Sequence, residues 1–214
     1  MQVRGKNLSL GLVVGKVLKV VAIKLGFIMP TLRSKIILWL YGCKYGNNLQ
    51  VCGKVHFRPN TSNAISLGNN VKLTARFLTN TVGISNPVVL ECLKNGRIEI
   101  GDYSGLTSTI ISSRTRVRIG KFVNIGANVR IFDHDFHALE SEHRRDALAD
   151  VAHTRSAEIF IDDDVFIGTN SIILKGVHVG RGSIIGAGSV VSIKHIPPLS
   201  IVVGNPARIL LNAK

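Results

Sequence analysis

No acidic residue occurs before Glu91, although twelve lysines and arginines precede it. Residues 1–90 therefore carry +12 of the chain's net +14, and the remainder carries only +2. Asymmetry of this kind points to a polyanionic partner for the first part alone. Nucleic acid is not expected there, because the chain shows neither a binding motif nor a basic stripe with interleaved aromatics. An anionic membrane surface or an anionic lipid-linked glycan is left. Aromatic residues are also scarce, at 6% against an apolar content of 45%, which suits thin aliphatic layers. The three cysteines, Cys43, Cys52 and Cys92, are odd in number and lack metal-ligand spacing. They read as buried reduced thiols of a cytoplasmic protein, against a disulfide framework. Long apolar runs are missing too. From Leu8 to Met29, Lys16, Lys19 and Lys24 interrupt every stretch before the ~18 residues a spanning helix needs. A secretory leader is disfavoured as well, since Ala22-Ile23-Lys24 is a poor cleavage site.

What is present is a beat of six. Ile161, Ile167, Ile173, Val179, Ile185 and Val191 recur at that interval, with Asp162, Gly168, Gly180 and Gly186 directly after four of them. Three residues further on come Val165, Ser171, Val177, Ser183 and Ser189, all small or branched and again six apart. Neither the 3.6-residue helix nor a long alternating strand has this period. It predicts an all-β solenoid of triangular coils, each with three short strands and one aliphatic side chain pointing inward per side. Glycine suits the corners, where backbones crowd and positive φ arises.

The rest of the chain is ordered around that stretch. At 214 residues it forms one domain with an appendage. Residues 1–44 read as an amphipathic helical N-terminal segment, its lysines gathered in one polar sector and its first helix ended by Pro30. Ile36-Ile37-Leu38-Trp39-Leu40-Tyr41 then adds an aromatic pair of the kind found at bilayer interfaces. In-plane binding to the inner leaflet of the membrane, through residues 1–40, is one expectation. Packing on the solenoid or across an oligomer is the other. Residues 45–214 form the β domain. Its early coils, Tyr45 to Glu99, are ragged, with Asn and Gly clusters supplying turns. The beat returns at Ile119, Ile125 and Ile131, then vanishes until Ile159. The intervening loop, residues 132–160, is polar and holds four of the seven histidines: His134, His137, His143 and His153. A long loop thrown from a regular scaffold is usually functional. Pro197 and Pro198 are expected to break the last coil.

Val165-Phe166-Ile167-Gly168, Ile185-Gly186-Ala187-Gly188-Ser189-Val190-Val191, and Ile196-Pro197-Pro198 followed by Gly204-Asn205-Pro206-Ala207-Arg208 resemble the hexapeptide-repeat acyltransferases. Within that family they are similar to the branch of galactoside and maltose O-acetyltransferases, which includes enzymes acting on bacterial surface polysaccharides. The resemblance covers roughly residues 98 to 210. It implies a left-handed parallel β-helix, a homotrimer with sites between neighbouring solenoids, and acetyl-CoA as co-substrate without a metal. The run Asp133-His134-Asp135-Phe136-His137-Ala138-Leu139-Glu140, with Arg144 beyond it, resembles the catalytic loop. It makes His137 the general base by its spacing to Arg144, with His134 in reserve; the family's proline after the histidine is Ala138 here. For the cofactor groove the resemblance points to Thr169, Ala187, Ser192, Lys194 and Arg208. The segment before Ile196-Pro197-Pro198 is one residue longer than the family's usual spacing.

The chemistry accounts for the residue types. A sugar hydroxyl attacks a thioester only as a base takes its proton, and imidazole accepts it near neutral pH. A CoA thiolate leaves readily because thiols ionise near ~8.5, so no acyl-enzyme is required. Asp133 or Asp135 is expected to fix the imidazole tautomer, and Glu140 and Arg144 to grip sugar hydroxyls. Ser104 and Ser108 are candidate oxyanion donors, while His56 and His178 read as structural. The expected activity is acetyl-CoA-dependent O-acetyl transfer to a sugar of a surface polysaccharide or lipid-linked glycan. The alternatives are amino-sugar N-acyl transfer on the same fold, and a non-catalytic or zinc-binding repeat protein using His134-x-x-His137.

Overall fold

The computed structural model describes residues 10–77 and 82–212. Its strands form three sheets of seven, eight and six among the described residues. The first sheet runs from Lys44–Tyr45 to His195–Ile196, the second from Gln50–Gly53 to Ala207–Asn212, and the third from Val55–Arg58 to Val190–Val191. Successive strands enter the three sheets in rotation, and every pairing but the last is parallel. Strands two to six residues long suffice because each contributes one or two inward side chains.

Register explains the beat of six. In the first sheet Ile119 pairs with Ile161 and Ile161 with Val179. In the second, Ile125 pairs with Ile167 and Ile167 with Ile185; in the third, Ile131 pairs with Ile173 and Ile173 with Val191. All are buried in one aliphatic cluster that fills the stack from end to end. Three six-residue sides make one coil, so each inward residue meets its equivalent in the coils on either side of it. The layers hold no Trp or Tyr in the fully buried set, as low aromatic content foretold.

At the corner that follows Ile167, crowding and positive φ fall on different positions. A Cβ on Gly168 would lie 2.5 Å from the Ala187 backbone nitrogen, so glycine there lets stacked coils touch. The left-handed conformation belongs two residues later, at Asn170 (φ 60°), and asparagine tolerates it best after glycine. The three cysteines are free and buried.

The first helix, α1, spans Leu10–Leu40 without a break and contains Pro30, so the expected stop at that residue is corrected. Proline removes one intrahelical hydrogen bond. Here the following turns are anchored: Thr31 Oγ1 accepts from Val51 N at 2.8 Å and donates to Val51 O, and Ser34 and Leu38 are buried against the first coil. The C-terminal part of α1 thus plugs that end of the stack. Residues 1–9 and the side chains of Lys19 and Lys24 lie outside what the structure describes. The second correction concerns Pro197-Pro198. They form one more corner, and Ser200–Gly204 continues the second sheet in parallel with Ile184–Ile185. Among the described residues no strand follows His195–Ile196 in the first sheet, so the N–H that Pro197 lacks has no ladder to enter. The antiparallel strand Ala207–Asn212 then closes this end.

Candidate active site

The lobe between Phe132 and Ile159 leaves the edge joining the third sheet to the first, and it is built rather than loose. Asp133 is buried at its base. Its carboxylate accepts from the backbone N–H groups of Arg114 (2.7 Å) and Thr115 (2.9 Å) and from the hydroxyls of Ser113 and Thr115. Burial pushes its pKa up, but the hydrogen bonds from His134, Arg114, Thr115 and Ser113 outweigh it and hold the acid below its ordinary value. Backbone bonds from Ala157 to Asp133 and from Asp135 to Arg155 zip the neck of the lobe. Beyond the neck lie a 3-10 turn, His143–Arg145, and a short helix, α2, Ala147–His153, capped by the Asp146 side chain.

His137 sits on the outside of this lobe with its side chain 71% exposed. Its Nδ1 is 2.7 Å from Asp150 Oδ2, and Asp150 Oδ1 accepts the Ala138 N–H at 2.6 Å. The His137 bond, then the Ala138 N–H, hold the Asp150 carboxyl below its usual range. An ionised partner at Nδ1 requires the proton there, which leaves the Nε2 lone pair free to act as a base. Arg144 donates to the carbonyls of Ala138 (2.8 Å) and Leu139 (2.6 Å), so it braces the His137 turn.

Several expected roles change. The carboxylate that orients His137 is Asp150; Asp133 serves the neck and His134, and Asp135 pairs with Lys175 at 2.5 Å. The reason is topological: Asp133 and Asp135 precede the point where the lobe turns outward, whereas α2 brings Asp150 back over His137. Asp150 was missed because no repeat marks it. The signal available was Asp146 as an N-cap, which places Asp150 in the first helical turn. His134 is buried, its Nδ1 3.1 Å from Asp133 Oδ1 and its Nε2 without a hydrogen-bond partner among the described residues. Glu140 is engaged by Arg155 at 2.7 Å, and Arg144 by the lobe's own backbone, which leaves neither set aside for sugar hydroxyls. Ser104 and Ser108 are both buried; Ser104 is spent on Gly120 O and Val123 N. Neither reaches the surface as an oxyanion donor.

The expected groove residues divide between the two edges of the third sheet. Thr169 and Ala187 stack at the corner between the second and third sheets, with Thr169 Oγ1 donating to Ala127 O at 2.6 Å. Ser192 and Lys194 lie at the opposite corner, beside the lobe, where Lys194 Nζ donates to Lys175 O at 2.7 Å. Arg208 is on the closing strand against the second sheet. No single edge of one chain brings all five together. Among the described residues no group of three His, Cys, Asp or Glu is arranged to hold a metal ion.

Comparison with known proteins agrees with the repeat and the fold. Residues 158–192 match the family described as bacterial transferase hexapeptide (six repeats). The chain is 43% identical over 67 residues to the 2,3,4,5-tetrahydropyridine-2,6-dicarboxylate N-acetyltransferase of Staphylococcus aureus, which is 31% of this chain and 28% of that one. It thus spans under a third of the length of the curated relatives it matches. AntD, an N-acyltransferase from Bacillus cereus crystallised with dTDP and 3-hydroxybutyryl-CoA, superposes with a TM-score of 0.67 at 23% identity, over 88% of this chain and 90% of that one. A hexapeptide-repeat acetyltransferase from Vibrio cholerae, complexed with acetyl coenzyme A, gives 0.58 at 23% identity, over 96% and 91%. Residues 158–192 thus carry the repeat of the bacterial hexapeptide transferases, and the stack that the repeat builds is the fold of these two solved structures.

Proposed function

We propose that the protein transfers an acetyl group from acetyl-CoA to a hydroxyl of a sugar, in a surface polysaccharide or lipid-linked glycan, with His137 as general base. The observation that carries this reading is the His137–Asp150 pair on an exposed lobe. Nε2 of His137 takes the proton of the acceptor hydroxyl as its oxygen attacks the thioester carbonyl. The tetrahedral intermediate collapses, the C–S bond breaks, and the proton on His137 passes to the departing thiolate. His134 cannot do this from its present position, because its Nε2 has no access to a substrate. The S. aureus relative and the B. cereus and V. cholerae structures support an acyl-CoA donor.

The same proposal includes a left-handed winding of the coils and a homotrimer. The trimer is supported by the split of the groove residues between two edges, since a neighbouring copy can bring Thr169 and Ala187 of one chain to the Ser192, Lys194 and His137 side of another. The outer face of the third sheet between those edges carries the half-buried row Val89, Ile110, Arg130, Ile172 and Val190, apolar except for Arg130 at its centre. A site at the inner face of the cytoplasmic membrane belongs to the proposal, because the acceptor class is membrane-borne.

N-acyl transfer to an amino sugar is the second reading, favoured by AntD, seen also in complex with dTDP-4-amino-4,6-dideoxyglucose and coenzyme A. Incubation with acetyl-CoA and envelope glycans, followed by mild alkali, separates the two. An ester product loses its acetyl group and an amide keeps it. Absence of any CoA release or acetyl-CoA binding would reject both.

A further inference from the structure

The exposed side of α1 is not polar. Val14, Leu18, Val21, Leu25, Ile28, Leu32, Ile36 and Trp39 follow one another at steps of three or four residues, and each is 47–71% exposed. At 100° per residue they form one continuous stripe, about 38 Å long at 1.5 Å per residue. The residues that α1 packs on the first coil, Thr31, Ser34 and Leu38, lie on the opposite side of the helix. The helix therefore presents one apolar side to the protein and a second to its surroundings. Isolated surface leucines need no explanation, but a contiguous stripe this long does.

Charge identifies what covers it. Arg33 and Lys35 fall on opposite flanks of the stripe, and Trp39 and Tyr41 stand at its end. Lys54 and Arg58 of the first coil lie close by; burial first, then the fields of Lys54, Arg58 and Arg33, depress the pKa of His56 between them. No carboxylate precedes Glu91, which itself pairs with Arg58 at 3.2 Å and so offsets that one cation. Among the described residues no helix is long and apolar enough to cross a membrane. An apolar stripe flanked by cations, with aromatics at one end, matches a surface that is greasy below and anionic above. We propose that the outward stripe of α1 docks the protein in the plane of an anionic lipid bilayer. The lobe bearing His137 leaves the third sheet three strand spacings from the coil that α1 covers, about 14 Å along the stack. The docking deepens the membrane location proposed above but does not rest on acyl transfer, and it is read without donor or acceptor.

The test is flotation of the full chain with phosphatidylcholine vesicles, with and without phosphatidylglycerol, at low and high salt. The variant Leu18→Glu/Leu25→Glu alters the stripe ahead of the anchored turns, and circular dichroism checks that it folds. The full chain is expected to float with the anionic vesicles, less so at high salt, and the variant to partition at least ~10-fold more weakly. The proposal is overturned if the full chain does not float, or if the folded variant floats as well as it does. It is also overturned if the variant changes the oligomeric mass while vesicles bind neither protein, since the stripe would then be covered by a second copy. Failed flotation with intact acetyl transfer would remove the docking and leave the enzyme.

Discussion

His137 and His134 stand three residues apart and differ in everything that matters to a base. One is exposed, with a carboxylate on Nδ1 and Nε2 open; the other is buried, with Nε2 enclosed. His137→Ala is expected to lower kcat at least ~100-fold with little change in CoA affinity, the usual contribution of a general base. Asp150→Asn should also lower kcat, because the amide can no longer hold the proton on Nδ1. Steady-state rates paired with calorimetric CoA binding check both. At the same scale, burial, then Cys43 and Asp133, push the Cys92 thiol up to about 12. Cys92 should therefore resist alkylation in the folded protein at mildly alkaline pH and react only on unfolding, as mass spectrometry of iodoacetamide-treated protein would show.

At the scale of elements, the lobe stands on Asp133. Asp133→Ala should cost about 3–5 kcal/mol, the range for breaking a buried charged network, and loosen the lobe as seen by hydrogen exchange over residues 134–157. The pH dependence follows from sign. The folded-state pKa lies below the unfolded value, so this contribution is present above the ordinary carboxylate pKa. It is lost as pH falls through the lower folded value, and thermal melts of Asp133→Ala and the parent should converge there. The coils make their own prediction: Gly168→Ala should destabilise by about 1–3 kcal/mol, because its methyl would meet the Ala187 backbone, which cannot move aside without parting two coils.

These elements also show what was legible from the sequence. The inward residues were readable because each coil repeats the same demand at the same place; Ile119 to Val191 needed no long-range information. The corners were only half readable: glycine was expected for both crowding and positive φ, whereas the left-handed residue beyond Gly168 is Asn170. The lobe was not. Its partners, Asp133 with Arg114 and Thr115 or His137 with Asp150, are set by contacts that no period announces. Helix α1 was half legible: its lysines suggested a cationic side, whereas its second apolar side emerges only once Leu38 shows which side is already buried. Pro30 misled because a tertiary anchor outweighed a local helix breaker.

For the whole molecule, a stack with flat sides offers its edges to chemistry, and under the proposed function a single chain parts the groove residues expected to act together. Analytical ultracentrifugation should give a trimer, and Ile172→Asp on the outer face of the third sheet should dissociate it while each chain stays folded. Activity should fall with the trimer. The most direct measurement is the rate of CoA release from acetyl-CoA, with envelope glycans as acceptors, for the parent, His137→Ala and His134→Ala proteins side by side. The account predicts a loss of at least ~100-fold in His137→Ala with CoA still bound, and no comparable loss in folded His134→Ala. A rate that survives in His137→Ala, or collapses only in folded His134→Ala, would contradict it.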